Sequence, residues 1–433
     1  MATISLTVRN PLRSVDSEEL DHDPATSSGA VLRIAFGSQP IYSHLVPALL
    51  PLARLAAEAG HEVVVLTSEE LSEQVRWFGL TPLVPRNIIA APDILQRPDL
   101  VERLGLDPSV MDDFGRRTFR AGADFFATMF AGPVAGDNAE GTIESLKSFA
   151  PDLLVRESTD YASYYAAEYL GIRHLALDIG PLAPFDEAPV LTNVNEQRDR
   201  FDLPPVTDPL HPFHGGRIGL APESFYPQRL RLQGARHHNA PPPAEHRLDP
   251  ELAALPDDRP LVLATLGSNA ARIHDSAERT PLHTIVDVLG ELPVTGVVAL
   301  GRDIPPESWN GARPDNVHLT SFVQQQLLLP SCEVFITHGG FSGIREALSS
   351  GVPMTVLPMF AEQPANAERV EQLGVGEQLH LDELTHTTLR ETVETVLNSP
   401  SYRHRARAMA RQFLALPPFG EIVRELEELG GHG

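Results

Sequence analysis

A single cysteine, Cys332, stands in 433 residues, so no internal disulfide can form and no cysteine-rich metal site can be built. Lysine is equally scarce. Lys147 is the only one, which disfavours Schiff-base chemistry and a phosphate loop that relies on a lysine. Cationic charge is short as a whole, with a formal net charge of −24. Nucleic acid and anionic membranes need basic surface and are therefore not expected as partners. No apolar run approaches the roughly 20 residues of a membrane-spanning helix. Residues 1–29 are polar and lack the apolar core of a secretory signal, so the expected location is the cytoplasm. No Gly-x-Gly-x-x-Gly follows the first strand-like run, which argues against a dinucleotide dehydrogenase.

What is present is enough apolar material for two to three domains; hydrophobic residues make up 42% of the chain. One stretch is especially informative, residues 331–376. Val334-Phe335-Ile336 has the length and composition of a buried strand, and Thr337-His338-Gly339-Gly340 follows it. Next comes a segment in which Ile344, Ala347 and Leu348 share a helical face, ended by Gly351 and Pro353 before a second strand from Met354. A strand, glycine turn and helix in this order present free backbone N–H groups at a helix N-terminus, where phosphate is favoured.

The full pattern is Thr337–Gly340, Glu346-Ala347-Leu348, Gly351-Val352-Pro353, Gln363-Pro364 and Asn366-Ala367-Glu368-Arg369-Val370. It resembles the donor-binding signature of the family 1 glycosyltransferases, most of all the bacterial enzymes that glycosylate natural products such as macrolides and polyketides. The resemblance implies an α/β protein with the GT-B fold, two Rossmann-like domains with parallel sheets facing across a cleft. It also implies a nucleotide-sugar donor, dTDP- or UDP-linked, and a hydrophobic small-molecule acceptor. In such an enzyme His338, Gly339, Gly340, Ser342 and Gly343, with Ser268 after an earlier strand, would hold the diphosphate. Phe322, Val323 and Gln324 would meet the nucleobase, and Glu362 and Gln363 the sugar hydroxyls. The chain departs from the family twice here: Ser342-Gly343-Ile344 replaces Gly-Thr-Thr, and Glu362 replaces an Asp.

Taken in order, residues 1–29 read as a disordered extension. Residues 30–225 form the expected N-terminal acceptor-binding domain, opening on the strand Val31–Phe36 and a leucine- and alanine-rich helix over 45–57. Residues 226–257, with Pro241-Pro242-Pro243, form the expected linker. Residues 258–412 form the expected nucleotide-sugar-binding domain. Residues 413–433 form a C-terminal helix expected to pack back toward the first domain. Phe114, Phe125, Phe126 and Met129 belong to an aromatic cluster that is unusual in a chain with 6% aromatic content. That cluster fits either an acceptor pocket or ordinary core.

An alcohol acceptor must lose a proton, and imidazole titrates near neutrality. His44, in the loop after the first strand, is the candidate base or else caps the helix that follows. The family places an Asp after the strand matching Leu153–Val155. Glu157 holds that position here, with Asp160 one helical turn on. No Asp-x-Asp pair lies near the expected cleft, and no metal or other cofactor is expected. A homodimer is left open. Three further readings stay open: a nucleotide-sugar epimerase, a lipid-linked cell-wall transferase, and a non-catalytic nucleotide-sugar-binding partner of another transferase.

Overall fold

The computed structural model describes residues 30–94, 96–106, 124–241, 247–267, 280–302, 304–359 and 361–431. The extension at 1–29, Phe114 and Ser268 lie outside the described residues. The chain from Val31 onward clusters as one unit holding two parallel sheets. The first sheet runs in the order β3-β2-β1-β4-β5-β6-β7. Its strands are β1 (Arg33–Gly37), β2 (Glu62–Leu66), β3 (Thr81–Leu83), β4 (Leu153–Glu157), β5 (His174–Leu177), β6 (Arg217–Gly219) and β7 (Arg236–His237). The second runs β10-β9-β8-β11-β12-β13. It contains β8 (Leu261–Thr265), β9 (Thr295–Ala299), β10 (Val317–Thr320), β11 (Val334–Thr337), β12 (Met354–Val356) and β13 (Gly376–Gln378).

The central strands are apolar almost throughout because helices cover both faces of a parallel sheet. Ile34 pairs with both Val63 and Leu153, and Phe335 with both Leu263 and Met354; Ile34 and Phe335 are fully buried. The connecting helices are α1 (Leu50–Glu58), α2 (Glu69–Trp77), α3 (Pro133–Phe149), α4 (Tyr161–Leu170) and α5 (Ala188–Arg200) in the first half. In the second they are α6 (Pro281–Glu291), α7 (Phe341–Ser350) and α8 (Gln363–Leu373), followed by α9 (His386–Asn398), α10 (Pro400–Leu414) and α11 (Ile422–Gly430). Cys332 is a buried core residue, and burial pushes its thiol up to about 12.

Two local features differ from the simplest reading of the sequence. The helix expected over 45–57 begins as a π turn, Leu45–Leu49, before α1. Pro47 has no N–H for a regular i→i−4 bond, and a wider turn accommodates it. The 226–257 segment contains β7, whose Ile218↔Arg236 pairing extends the first sheet by one strand.

This strand order decides where ligands can bind. In each sheet the chain leaves the centre in one direction and returns in the other, so a crevice opens at the carboxyl ends of the two central strands. These strands are β1 and β4 in the first sheet, and β8 and β11 in the second. The chain end then crosses between the halves. Helix α10 packs on α7, while α11 packs on α1 and β4. There Glu427 lies 3.3 Å from His61, and Glu425 lies 3.0 Å from His238. Among the described residues no helix is long and apolar enough to cross a membrane.

Candidate active site

His44 ends the turn Tyr42–His44 just past β1, and Glu157 is the last residue of β4, so both stand at the first crevice. His44 Nδ1 lies 3.3 Å from Glu157 Oε1. The carboxylate is fully buried, whereas the imidazole keeps 19% of its side-chain surface accessible. Glu157 accepts the backbone N–H of Thr159 at 2.6 Å and that of Gln39 at 3.3 Å. Thr159 Oγ1 donates to it at 2.7 Å. Burial works against the charged form, but His44 and the hydrogen bonds from Thr159 outweigh it and hold the carboxyl below its ordinary value. The extra methylene of Glu relative to Asp is taken up without losing the contact to the ring.

Thr159 was not singled out from the sequence, yet it completes the arrangement. Its Oγ1 lies 3.2 Å from His44 Nδ1. Because its hydrogen goes to Glu157, its oxygen is left to accept from Nδ1–H. That assigns the proton of a neutral His44 to Nδ1 and leaves Nε2 basic. The signal was a hydroxyl two residues after the carboxylate, which means little until β4 ends and the chain turns back. Asp160 takes a different role. It caps α4 by accepting Ser163 N–H at 3.1 Å. Burial first, and then the charge of Glu157, raise its pKa to about 6.

The second crevice holds the glycine-rich turn. His338 follows β11, and its ring is pinned between two glycines. A methyl on Gly267 or on Gly340 would stand 2.7 Å from an atom of that ring. Gly267 and Gly339 have φ of +81° and +87°, a region that favours glycine. Gly340 is the N-cap of α7 and offers no side chain to the first turn, so among the described residues the amides of Phe341, Ser342 and Gly343 receive no side-chain cap. Among the described residues His338 Nδ1 is buried without a hydrogen-bond partner, and burial lowers the ring's pKa to about 4.

Glu362 and Gln363 open α8. Gln363 is buried, and its Oε1 accepts Met359 N–H at 2.9 Å. Glu362 reaches toward the first half of the molecule, where its Cγ would lie 3.6 Å from a methyl on Gly180. Burial raises the Glu362 pKa, opposed in part by backbone N–H groups and by His44. Phe322 carries the Arg302 guanidinium 3.8 Å above its ring, Val323 is buried, and Gln324 Oε1 accepts Asp249 N–H at 3.2 Å.

The aromatic cluster divides. Phe126 packs edge-on against Phe185 at 5.6 Å and beside Phe130 at 5.0 Å. Phe130 in turn lies nearly parallel to the His44 ring, with centroids 6.3 Å apart. Phe125 is partly buried, and Met129 is buried in a small core with Ile94, Leu100 and Val134. Among the described residues no group of three or more His, Cys, Asp or Glu is placed to hold a metal ion.

Two parallel sheets, with a His–carboxylate pair at one crevice and a bare helix terminus at the other, have the architecture of the GT-B glycosyltransferases. Comparison with known proteins agrees. Residues 284–429 match the family described as Erythromycin biosynthesis protein CIII-like, C-terminal domain. Over most of its length the chain is similar to the 3-alpha-mycarosylerythronolide B desosaminyl transferase of Saccharopolyspora erythraea. The two are 27% identical over 92% of this chain and 98% of the relative. It is 26% identical to the aclacinomycin-T 2-deoxy-L-fucose transferase of Streptomyces galilaeus, over 92% and 96% of the two chains. In fold it resembles the glycosyltransferase VinC solved with DTDP, with a TM-score of 0.67, 22% identity and coverage of 93% and 100%.

Proposed function

We propose that this enzyme moves a deoxysugar from a nucleoside diphosphate, dTDP or UDP, to a hydroxyl of a hydrophobic natural product, with inversion at the anomeric carbon. The observation that carries this reading is the His44–Glu157 pair, 3.3 Å apart, with Thr159 holding both. His44 Nε2 takes the acceptor proton as the hydroxyl oxygen attacks, and buried Glu157 stabilises the imidazolium that forms. The C–O bond to the diphosphate breaks in the same displacement. The departing charge is met by His338 and the first amides of α7, which are preorganised for it. Phe322, Val323 and Gln324 stand at the base, and Glu362 and Gln363 at the sugar. Phe126 and Phe130 offer an apolar wall beside His44. The deoxysugar is supported by the two full-length relatives named for desosaminyl and 2-deoxy-L-fucose transfer. The reading uses no metal or other cofactor.

The test is calorimetric titration with dTDP and UDP, together with turnover of a dTDP-deoxysugar. Wild type should bind one nucleotide, and His338→Ala should lose that binding. His44→Ala should keep the binding while turnover falls about 10²–10⁴-fold, the usual worth of a general base. Binding without turnover in wild type would point instead to a non-catalytic partner of another transferase. No binding of either nucleotide would overturn the donor site altogether.

A further inference from the structure

Helix α8 begins at the proposed sugar site and crosses the cleft a second time two turns later. Arg369, half-buried, donates from Nε to Phe225 O at 2.8 Å and from Nη2 to Ser224 O at 2.7 Å. Ser224 and Phe225 belong to the first half of the molecule, in the short 3₁₀ turn Glu223–Phe225 that follows β6. The same turn meets the donor-side helices at two other places. Phe225 is fully buried, with its ring 5.8 Å from that of Phe341, the first residue of α7. Ser224 Oγ donates to Gln412 Oε1 of α10 at 2.5 Å.

From this turn a buried polar path leads back to the cleft. Tyr226 donates to Asp178 Oδ2 at 3.0 Å, and Arg217 Nε donates to the same oxygen at 2.8 Å. Asp178 lies two residues before Gly180, the glycine that Glu362 abuts. One rigid helix therefore touches the acceptor-side half at two places, through Glu362 beside Gly180 and through Arg369 at the Glu223–Phe225 turn. These residues are seven apart, a rise of about 10 Å.

We propose that Arg369 is a positioning residue. It fixes α8, and with it Glu362 and Gln363, onto the sheet that carries His44 and Glu157. The proposal rests on the functional reading above. The planar guanidinium spans two adjacent carbonyls, which the single ammonium of a lysine cannot do with the same geometry. Arg369 is not among the residues assigned to either substrate and bonds to the Ser224 and Phe225 carbonyls, so its effect lies in the register of the two halves. Reacting groups tolerate little misplacement, and about 1 Å can cost two orders of magnitude in rate.

The experiment compares wild type, Arg369→Lys and Arg369→Met. It reads nucleotide affinity by calorimetry, kcat and KM for transfer, and melting temperature. It also measures the distance between spin labels at Trp77→Cys and Glu391→Cys, two exposed positions, one in each half; the native Cys332 is buried. In Arg369→Met, nucleotide affinity should stay within about twofold, kcat should fall about tenfold or more, and the label distances should broaden. Arg369→Lys should fall between the two. An unchanged kcat with unchanged distances in Arg369→Met would overturn the proposal. So would a parallel loss of nucleotide affinity and melting temperature in both variants, which marks a purely structural role. If wild type bound no nucleotide, the functional reading would fail, and the label distances would still report whether Arg369 joins the halves.

Discussion

His338, at the proposed diphosphate site, carries a prediction that its titration can test. Among the described residues its Nδ1 has no partner, and burial lowers its pKa to about 4. A diphosphate beside the ring would favour the imidazolium and raise that value. Binding should then take up a proton near pH 6, and affinity should rise as pH falls, by at most about tenfold per pH unit. Calorimetry at pH 6 in two buffers of different ionisation heat measures this uptake directly. It should be present in wild type and absent in His338→Asn. Zero uptake by wild type would contradict the assignment of His338 to the diphosphate. The unliganded fold shows the opposite dependence. The folded value is depressed, so the unfolded chain binds more protons below the ordinary histidine range, and stability falls as pH drops from about 6.5 toward 4. His338 and His44 were both legible in the sequence, because each stands beside a strand end. Thr159 was not, because its two partners come from different parts of the chain.

At the scale of elements, the turn from β11 into α7 works because it is bare. Gly340 has φ −60° and ψ 141°, which alanine can adopt without strain. The obstacle to a side chain there is the His338 ring, 2.7 Å from where a methyl would sit. A methyl at 340 must therefore displace the ring, which Gly267 flanks on its other side. Gly340→Ala should therefore fold normally and bind nucleotide about tenfold more weakly, roughly the loss of one charge-assisted hydrogen bond. Calorimetry alongside a melting curve checks this. Unchanged affinity would mean that the ring's position does not matter to the ligand. The long apolar strands and this turn were readable from hydrophobic runs and glycine spacing. Strands β6, β7 and β13 were not. They are two or three residues long, and β7 lies in a proline-rich stretch, so only pairing to a neighbour defines them.

At the scale of the whole molecule, the last helix belongs to the first sheet. Leu426 of α11 is fully buried, with Ile422 and Val423 buried beside it. Glu425 and Glu427 pair with His238 and His61 of the first half. Leu426→Ala should cost about 2–5 kcal/mol, typical of a cavity in a well-packed core. The loss should appear where the helix docks. Hydrogen exchange should speed up in β1, β2 and β4 and leave β8 and β11 protected. Equal loss in both sheets would mean that the two halves unfold as one, and no loss would mean that the helix is dispensable.

The sequence by itself determined the alternation of strands and helices, the glycine turn that bares a helix terminus, and the residue types that chemistry at such a site requires. Those properties are local, set by hydrophobic period, backbone freedom and side-chain pKa. Only the tertiary structure decided which carboxylate faces His44. Glu157 and Asp160 are three residues apart, and the end of β4 points the first at the imidazole while the start of α4 turns the second to its own amides. It alone brought Arg369 to Ser224 and Phe225, some 145 residues earlier in the chain. Such contacts depend on how two separately patterned halves close on each other, and no periodicity within either half encodes that.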